Sequence, residues 1–275
     1  LQQNFPVYID FDKALELEID SKGHLDRFEK SGSKRLPSNI SPKGFIEFIK
    51  NIYESEIPKL FETNLSENAA TYKIPSTIHQ IWFGKPMPVK YRNWMIKLKK
   101  FHPGWRFICW TEELLKIVFQ NGLYNQVSFN QAKQNKNYAR MSDIARYEIL
   151  YNFGGLYADS DVDPFESFES LHKSYDFYAG MEEIRCETEI GNAIIGSCPQ
   201  HPVIKGCIDK IKQFESNKPS VASWGASDKR WAEVYETLLA TGPVILTHSM
   251  FENIGQEGFC DMIFPSIFFF CLLII

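Results

Sequence analysis

Two periods of apolar residues divide the chain. Through residue 73 the apolar positions keep helical spacing: in SPKGFIEFIKNIYESEIPKL (41–60), Phe45, Phe48, Ile49 and Ile52 recur every three or four residues. Ser41 is placed to cap that helix, and Pro42 suits its first position. The pattern predicts a helical N-terminal subdomain over residues 1–73, with KSGSKRLPSN (30–39) as its internal loop. From residue 74 the runs shorten. STIHQIWFG (76–84) reads as a strand ending in a glycine turn, and RFICW (106–110) as a second strand. TEELLKIVFQNG (111–122) reads as a helix capped by Thr111 and stopped by Gly122. The helix NYARMSDIARYEILYNFGG (137–155) runs into the strand LYAD (156–159). DFYAGME, GNAIIGS and two further helices, HPVIKGCIDKIKQF and DKRWAEVYETLLATG, follow. Such alternation predicts an α/β domain over 74–275 with a mostly parallel sheet, and ligands in such sheets bind beyond the carboxyl ends of the strands.

The segment 138–152 is apolar on both sides. At 100° per residue, Tyr138, Met141, Ala145 and Ile149 share one face, and Ala139, Asp143, Arg146 and Leu150 share the other. A helix apolar all round is buried, and a buried Asp or Arg needs a partner. Asp143 and Arg146, three apart, reach each other. A structural ion pair and a ligand contact both fit, and the neighbouring strand end favours the second. That strand end reads GGLYADSDVD (154–163), three carboxylates within five positions. In extended chain Asp159 and Asp161 point to one face, with Asp163 one step further, so the cluster calls for a cation.

Composition narrows the classes. The chain has 275 residues, 44% hydrophobic and 15% aromatic, enough for a full core. A net charge of −4 and a pI near 5.9 argue against a general nucleic-acid binder, and the basic KLKK (97–100) reads as a solvated helix face. Six cysteines show no C-x-x-C pair and no zinc spacing, so they read as buried thiols. The first residues show neither a signal peptide nor an initiator Met, which reads as a trimmed or processed chain. MIFPSIFFFCLLII (262–275) is shorter than the roughly 20 residues of a membrane span and reads as a buried strand, the alternative being the start of an anchor. Localisation stays unassigned, with a cytosolic or secreted-effector setting slightly favoured.

Three chemistries compete for DSDVD. A calcium loop starting at Asp159 needs Gly sixth and Glu twelfth, where the chain has Pro164 and Ser170. A D-x-D phosphotransferase of the haloacid-dehalogenase type needs Thr or Val where Asp163 stands, and remains a distant alternative. The third is a divalent cation, Mn²⁺ or Mg²⁺, held by one or two carboxylates and bridging a substrate diphosphate. Cleaving a sugar from a nucleoside diphosphate leaves charge on the leaving group, which such a cation stabilises.

At this point the order of motifs resembles a known family. IPSTIHQIWFG, HPGW, ARMSDIARYEILYNFGGLYADSDV, NAIIGSCPQHP and TGP together resemble glycosyltransferase family 32, the DXD-containing sugar transferases that include yeast initiating mannosyltransferases. The glucosyltransferase domains of large clostridial toxins are similar at greater distance. The resemblance covers about residues 74 to 247 and implies a GT-A-type, Rossmann-like nucleotide-sugar-binding domain. It implies Trp82 near the nucleotide base, and Asp143 and Arg146 at the donor's sugar and phosphates. It further implies Tyr157 and Asn192 beside the donor, and the acid pair at Asp159 and Asp161. Asp161 is implied as the direct metal ligand, with Asp159 on ribose or metal-bound water. Each has a plainer reading beside it: Trp82 and Tyr157 as core, Asn192 as a turn residue, TGP (241–243) as a helix stop. His79, His102 and His248 read as structural. Members of the family typically continue beyond an FPSIFFF-like strand into a loop bearing His or Trp, and this chain ends at Ile275.

The implied activity is metal-dependent transfer of a hexose, from a donor of the UDP-glucose or GDP-mannose type, to a hydroxyl on a glycan or protein with retained anomeric configuration. No residue stands out as a nucleophile, which favours a front-side route. A glycosyltransferase-like binding module without turnover is the other alternative. The segment 1–73 carries no strong basic amphipathic stripe, so docking of a protein acceptor or a membrane there stays open.

Overall fold

The structure, a computed structural model, describes residues 10–20, 35–65, 71–182, 189–217, 229–266, 268 and 273–274. Residues 30–34 of the expected internal loop and most of 267–275 lie outside the described residues, while 35–39 form turns.

The first segment supplies α1 (Phe11–Asp20) and α2 (Pro42–Leu65). Ser41 Oγ accepts from the Gly44 amide, so the expected cap is made. Phe45, Ile49, Tyr53 and Leu60 are buried along α2 and join the apolar cluster that includes the sheet. Then come β1 (Thr77–Ile81), α3 (Val89–Phe101), β2 (Arg106–Trp110), α4 (Glu112–Val118) and α5 (Gln126–Gln134). They are followed by α6 (Tyr138–Phe153), β3 (Gly155–Ala158), β4 (Asp163–Pro164), α7 (Glu169–Ser174) and β5 (Phe177–Met181). The chain continues through β6 (Ile190–Ser197), α8 (Pro202–Ser216), α9 (Lys229–Ala240) and α10 (Pro243–Asn253), then β7 (Asp261–Phe264) and β8 (Leu273–Ile274).

Six strands form one sheet in the order β2-β1-β3-β6-β5-β7, and β4 pairs with β8. Within the large sheet only β6 runs against its neighbours, so the sheet is mostly parallel as expected. The architecture is the α/β domain that the alternation of elements predicts. Every residue of β3, β5 and β7 is buried. Strands covered on both faces read as unbroken apolar runs, which is how FYAGM, and MIF after Asp261, look in the sequence. No helix among the described residues is long and apolar enough to cross a membrane.

Thr111 Oγ1 accepts from the Leu114 amide and starts α4 as expected. The expected stop at Gly122 is displaced: α4 ends at Val118, and Gly122, at φ +81°, serves the following turn by donating to the Phe119 carbonyl. Val118 and Phe119, β-branched and aromatic, end the helix before the glycine is reached.

Helix α6 is buried on all sides, as its pattern requires, from Arg140 through Leu150 save the partly covered Ser142. Asn137 caps it through the Arg140 amide. At its other end Gly154 and Gly155 adopt φ +61° and +107°. A Cβ at Gly155 would stand 2.5 Å from the Thr77 carbonyl oxygen on β1, so only glycine permits the turn from helix into β3 at this spacing. The pair fixes where β3 begins, and hence where the acid cluster that follows it ends up.

Candidate functional site

Three elements converge at the carboxyl end of β3. Helix α6 presents Asp143 and Arg146 one turn apart; β3 carries Tyr157; the antiparallel β6 brings Asn192 alongside. The Asp159 amide donates to the Ala193 carbonyl at 2.8 Å and ties the strand end to β6. Arg146 Nη2 lies 2.9 Å from Asp143 Oδ1 and 3.4 Å from Asp159 Oδ1, while Nη1 donates to the Asn192 carbonyl. Its guanidinium carbon stands 4.4 Å from the centroid of the Tyr157 ring, a cation–π contact. Tyr157 in turn donates its hydroxyl to Asp159 Oδ1 at 2.6 Å. Asn192 Nδ2 donates to Asp143 Oδ1 at 3.0 Å.

Thr241, in the TGP stretch that is part of the resemblance and has a helix stop as its plainer reading, also joins the group. Its hydroxyl lies 3.0 Å from Asp143 Oδ2 and 3.1 Å from the Thr237 carbonyl, and its one proton is better spent on the charged acceptor. Asp143 is thereby satisfied by three side chains. Burial pushes its carboxyl above the usual aspartate range, and Arg146 opposes the rise. Asp159 is raised in the same way by burial, again opposed by Arg146 and the Tyr157 hydroxyl, with Asp161 adding to the rise. Burial disfavours the Arg146 charge, but Tyr157, Asp159 and Asp143 outweigh that and hold it protonated.

The three acids meet three fates. The expectation that extended chain aligns Asp159 with Asp161 fails, because β3 ends at Ala158 and residues 159–162 form a turn closed by the Val162 amide on the Asp159 carbonyl at 3.2 Å. Asp159 turns inward to Arg146. Asp163, in β4, pairs with Lys97 of α3 at 2.5 Å. So one lysine of KLKK is a partner of the acid cluster rather than part of a solvated face. Asp161 is exposed and makes no ion pair or side-chain hydrogen bond among the described residues.

Gln80 was not singled out in the sequence. It is fully buried on β1, its Nε2 donates to the Asp159 carbonyl at 3.1 Å, and its Oε1 has no partner among the described residues. The available signal was its spacing, two residues before Trp82 on a strand beside β3 and so on the same face. Trp82 stands apart from the hydrogen-bonded group. It lies just past the end of β1, partly exposed, with Nε1 donating to the Lys85 carbonyl at 2.7 Å and its ring 4.9 Å from that of Tyr91. His79, His102 and His248 each face a backbone carbonyl, those of Gly154, Leu98 and Arg35.

The donor set bears on a metal. Among the described residues no group of three or more His, Cys, Asp or Glu side chains can hold an ion. What the turn offers is the whole Asp161 carboxylate and the second oxygen of Asp159. That set fits a hard divalent ion completed by substrate phosphates and water, and does not fit a site closed by protein alone.

Residues 88–178 match the family described as a glycosyltransferase sugar-binding region containing a DXD motif. The chain carries a GT-A-type glycosyltransferase fold. Asp143, Arg146, Tyr157, Asp159 and Asp161 fall inside the matched residues; Trp82 and Asn192 fall outside. Inositol phosphoceramide mannosyltransferase 1 of Schizosaccharomyces pombe is 27% identical over 181 residues, 64% of this chain and 51% of that protein. Mannosyl phosphorylinositol ceramide synthase SUR1 of Saccharomyces cerevisiae is 26% identical over 184 residues, 63% of this chain and 41% of the relative. Among solved structures, the PaToxG glycosyltransferase is similar with a TM-score of 0.53 at 19% identity, covering 74% of this chain and 78% of that one. The chain spans about half the length of the curated relatives it matches.

Proposed function

We propose that this chain transfers a hexose from a nucleoside diphosphate sugar to an acceptor hydroxyl, from a domain beginning near residue 74. The observation that carries the reading is the unequal treatment of the three acids. Arg146 and Lys97 engage Asp159 and Asp163, and Asp161 is the one of the three with no cation partner among the described residues. A divalent metal, Mn²⁺ or Mg²⁺, bound by Asp161 with Asp159 would offset the charge that develops on the departing diphosphate.

The chain's own residues perform the rest. Arg146, held rigid between Asp143, Asp159 and the Tyr157 ring, places a fixed positive charge beside the turn. A guanidinium locked in advance stabilises developing charge without reorganising. Asp143, kept dry and held by Asn192 and Thr241, keeps the Arg146 guanidinium aimed at the turn, and a sugar hydroxyl reaching it would compete for Oδ2. Gln80 fixes the Asp159 carbonyl and so the start of the turn. Trp82, at the end of the neighbouring strand, is placed to stack on a base. None of these groups is arranged as a nucleophile, in keeping with front-side transfer and retained configuration.

The mannosyltransferase names among the relatives favour GDP-mannose as donor and a glycolipid or glycan acceptor. The test is nucleoside diphosphate release from UDP-glucose and GDP-mannose in Mn²⁺, with and without a sugar acceptor. Release from one donor supports the reading. Phosphate release from an aryl phosphate would favour the phosphotransferase, and donor binding without release would favour a silent module.

A further inference from the structure

Helix α3 is the least buried element beside the site: of its thirteen residues only Leu98 is buried. Its charge is one-sided. Residues 68–111 carry eight lysines and arginines and not one aspartate or glutamate, in a chain whose formal net charge is −4. Five of the eight, Lys90, Arg92, Lys97, Lys99 and Lys100, lie on α3 itself.

The arrangement of those charges is specific. With Leu98 pointing to the core, steps of about 100° place Val89, Ile96 and Lys100 on the opposite, outward line of the helix. The two aliphatic residues are exposed, Val89 at 61% and Ile96 at 65%. Arg92 and Lys99 flank that line on one side, Lys90 and Lys97 on the other. Lys90 Nζ stands 4.4 Å from the Trp94 ring centroid, and Lys97 Nζ stands 4.6 Å from that of the exposed Phe165. Two aliphatic side chains beside Lys100 on the outermost line, flanked by further cations and backed by partly exposed aromatics, match a helix lying in a lipid interface. Phosphate contact alone, as in nucleic-acid binding, leaves exposed Val and Ile without a role.

We infer that α3 seats the protein on an anionic bilayer, with Val89 and Ile96 entering the headgroup boundary and Lys90, Arg92, Lys99 and Lys100 meeting acidic lipid. Because Lys97 also holds Asp163, this seating brings the membrane surface next to the acid turn. The inference stands whether or not the neighbouring site transfers a sugar. It differs from docking through residues 1–73, since α3 lies inside the α/β domain.

The test is flotation of the full chain with vesicles of phosphatidylcholine, alone and mixed with phosphatidylserine. Binding is expected only to the mixed vesicles and should fall as salt rises. The double variant Lys99→Glu, Lys100→Glu should bind roughly tenfold or more weaker, at about 1 kcal/mol for each cation near such a surface. Val89→Ser with Ile96→Ser should bind severalfold weaker while keeping the salt dependence. All four side chains are exposed, so unchanged melting of each variant shows that the fold is intact. Equal binding to neutral vesicles, no vesicle binding at all, or undiminished binding by the charge variant would overturn the inference. Binding to duplex DNA with none to vesicles would overturn it too.

Discussion

Helix α6 carries two buried arginines, six residues apart, and they do different things. Arg140 is 6% exposed and reaches Glu215 at 2.5 Å and Glu236 at 2.9 Å, which fastens α8 and α9 to the first turn of α6. Arg146 is 4% exposed and reaches Asp143 on its own helix and Asp159 beyond β3. Each guanidinium faces two carboxylates, and in each the Nε has no partner among the described residues. A buried ion pair therefore does not mark a site by itself. The difference lies in where the surplus negative charge goes. Around Arg140 the glutamates keep 13% and 25% side-chain exposure, so water takes the surplus. Around Arg146 the aspartate on the helix is dry and Asp159 keeps 33% side-chain exposure, but a third acid, the exposed Asp161, follows two residues on and has no ion pair among the described residues.

Removing each arginine breaks the comparison most strongly. Arg146→Ala should cost about 3–5 kcal/mol by urea unfolding, since it strands two aspartates, one of them dry. The donor-dependent rise in melting temperature should vanish with it. Arg140→Ala should cost less, about 1–3 kcal/mol, because its glutamates can rehydrate. It should leave the donor response in place.

The histidines separate scaffold from site by pH. Burial lowers His79 to about 4 and His172 to about 3. A depressed base favours the folded state fully above the ordinary imidazole value, and that contribution is lost as pH falls toward the folded one. Stability should thus decline below about pH 6.5, by on the order of 3 kcal/mol for each ring by about pH 4. Urea midpoints measured from pH 7.5 down to 4 check this, and a flat profile would place those rings outside the folded core.

Smaller effects sharpen the site itself. Thr241→Val should cost about 1–3 kcal/mol by leaving Asp143 Oδ2 without its donor. Gln80→Leu should cost less than about 1 kcal/mol, because it removes the orphaned Oε1 along with the bond to the Asp159 carbonyl. Its effect should instead appear as weaker donor affinity in calorimetry.

The alternation of elements, the buried α6 and the Asp143–Arg146 pair were legible because each rests on local spacing. The glycine pair at 154–155 announced the turn into β3 for the same reason. What escaped notice depends on contacts across many residues. Thr241 meets Asp143 across 98 positions and Gln80 meets Asp159 across 79, so no local pattern records either. The extended reading of DSDVD failed because the strand ends one residue before Asp159. That breaks the alternation of faces and sends Asp159 to Arg146 and Asp163 to Lys97.

The most direct test is the melting temperature of wild type and Asp161→Asn, each with and without Mn²⁺ and a panel of UDP and GDP sugars. A ligand at a hundred times its Kd adds about 2.7 kcal/mol to stability. The expected result is a clear upward shift for wild type with one nucleotide sugar, no shift for Asp161→Asn, and equal melting of the two without ligand. A shift of the same size in both proteins would contradict the assignment of the cation to Asp161.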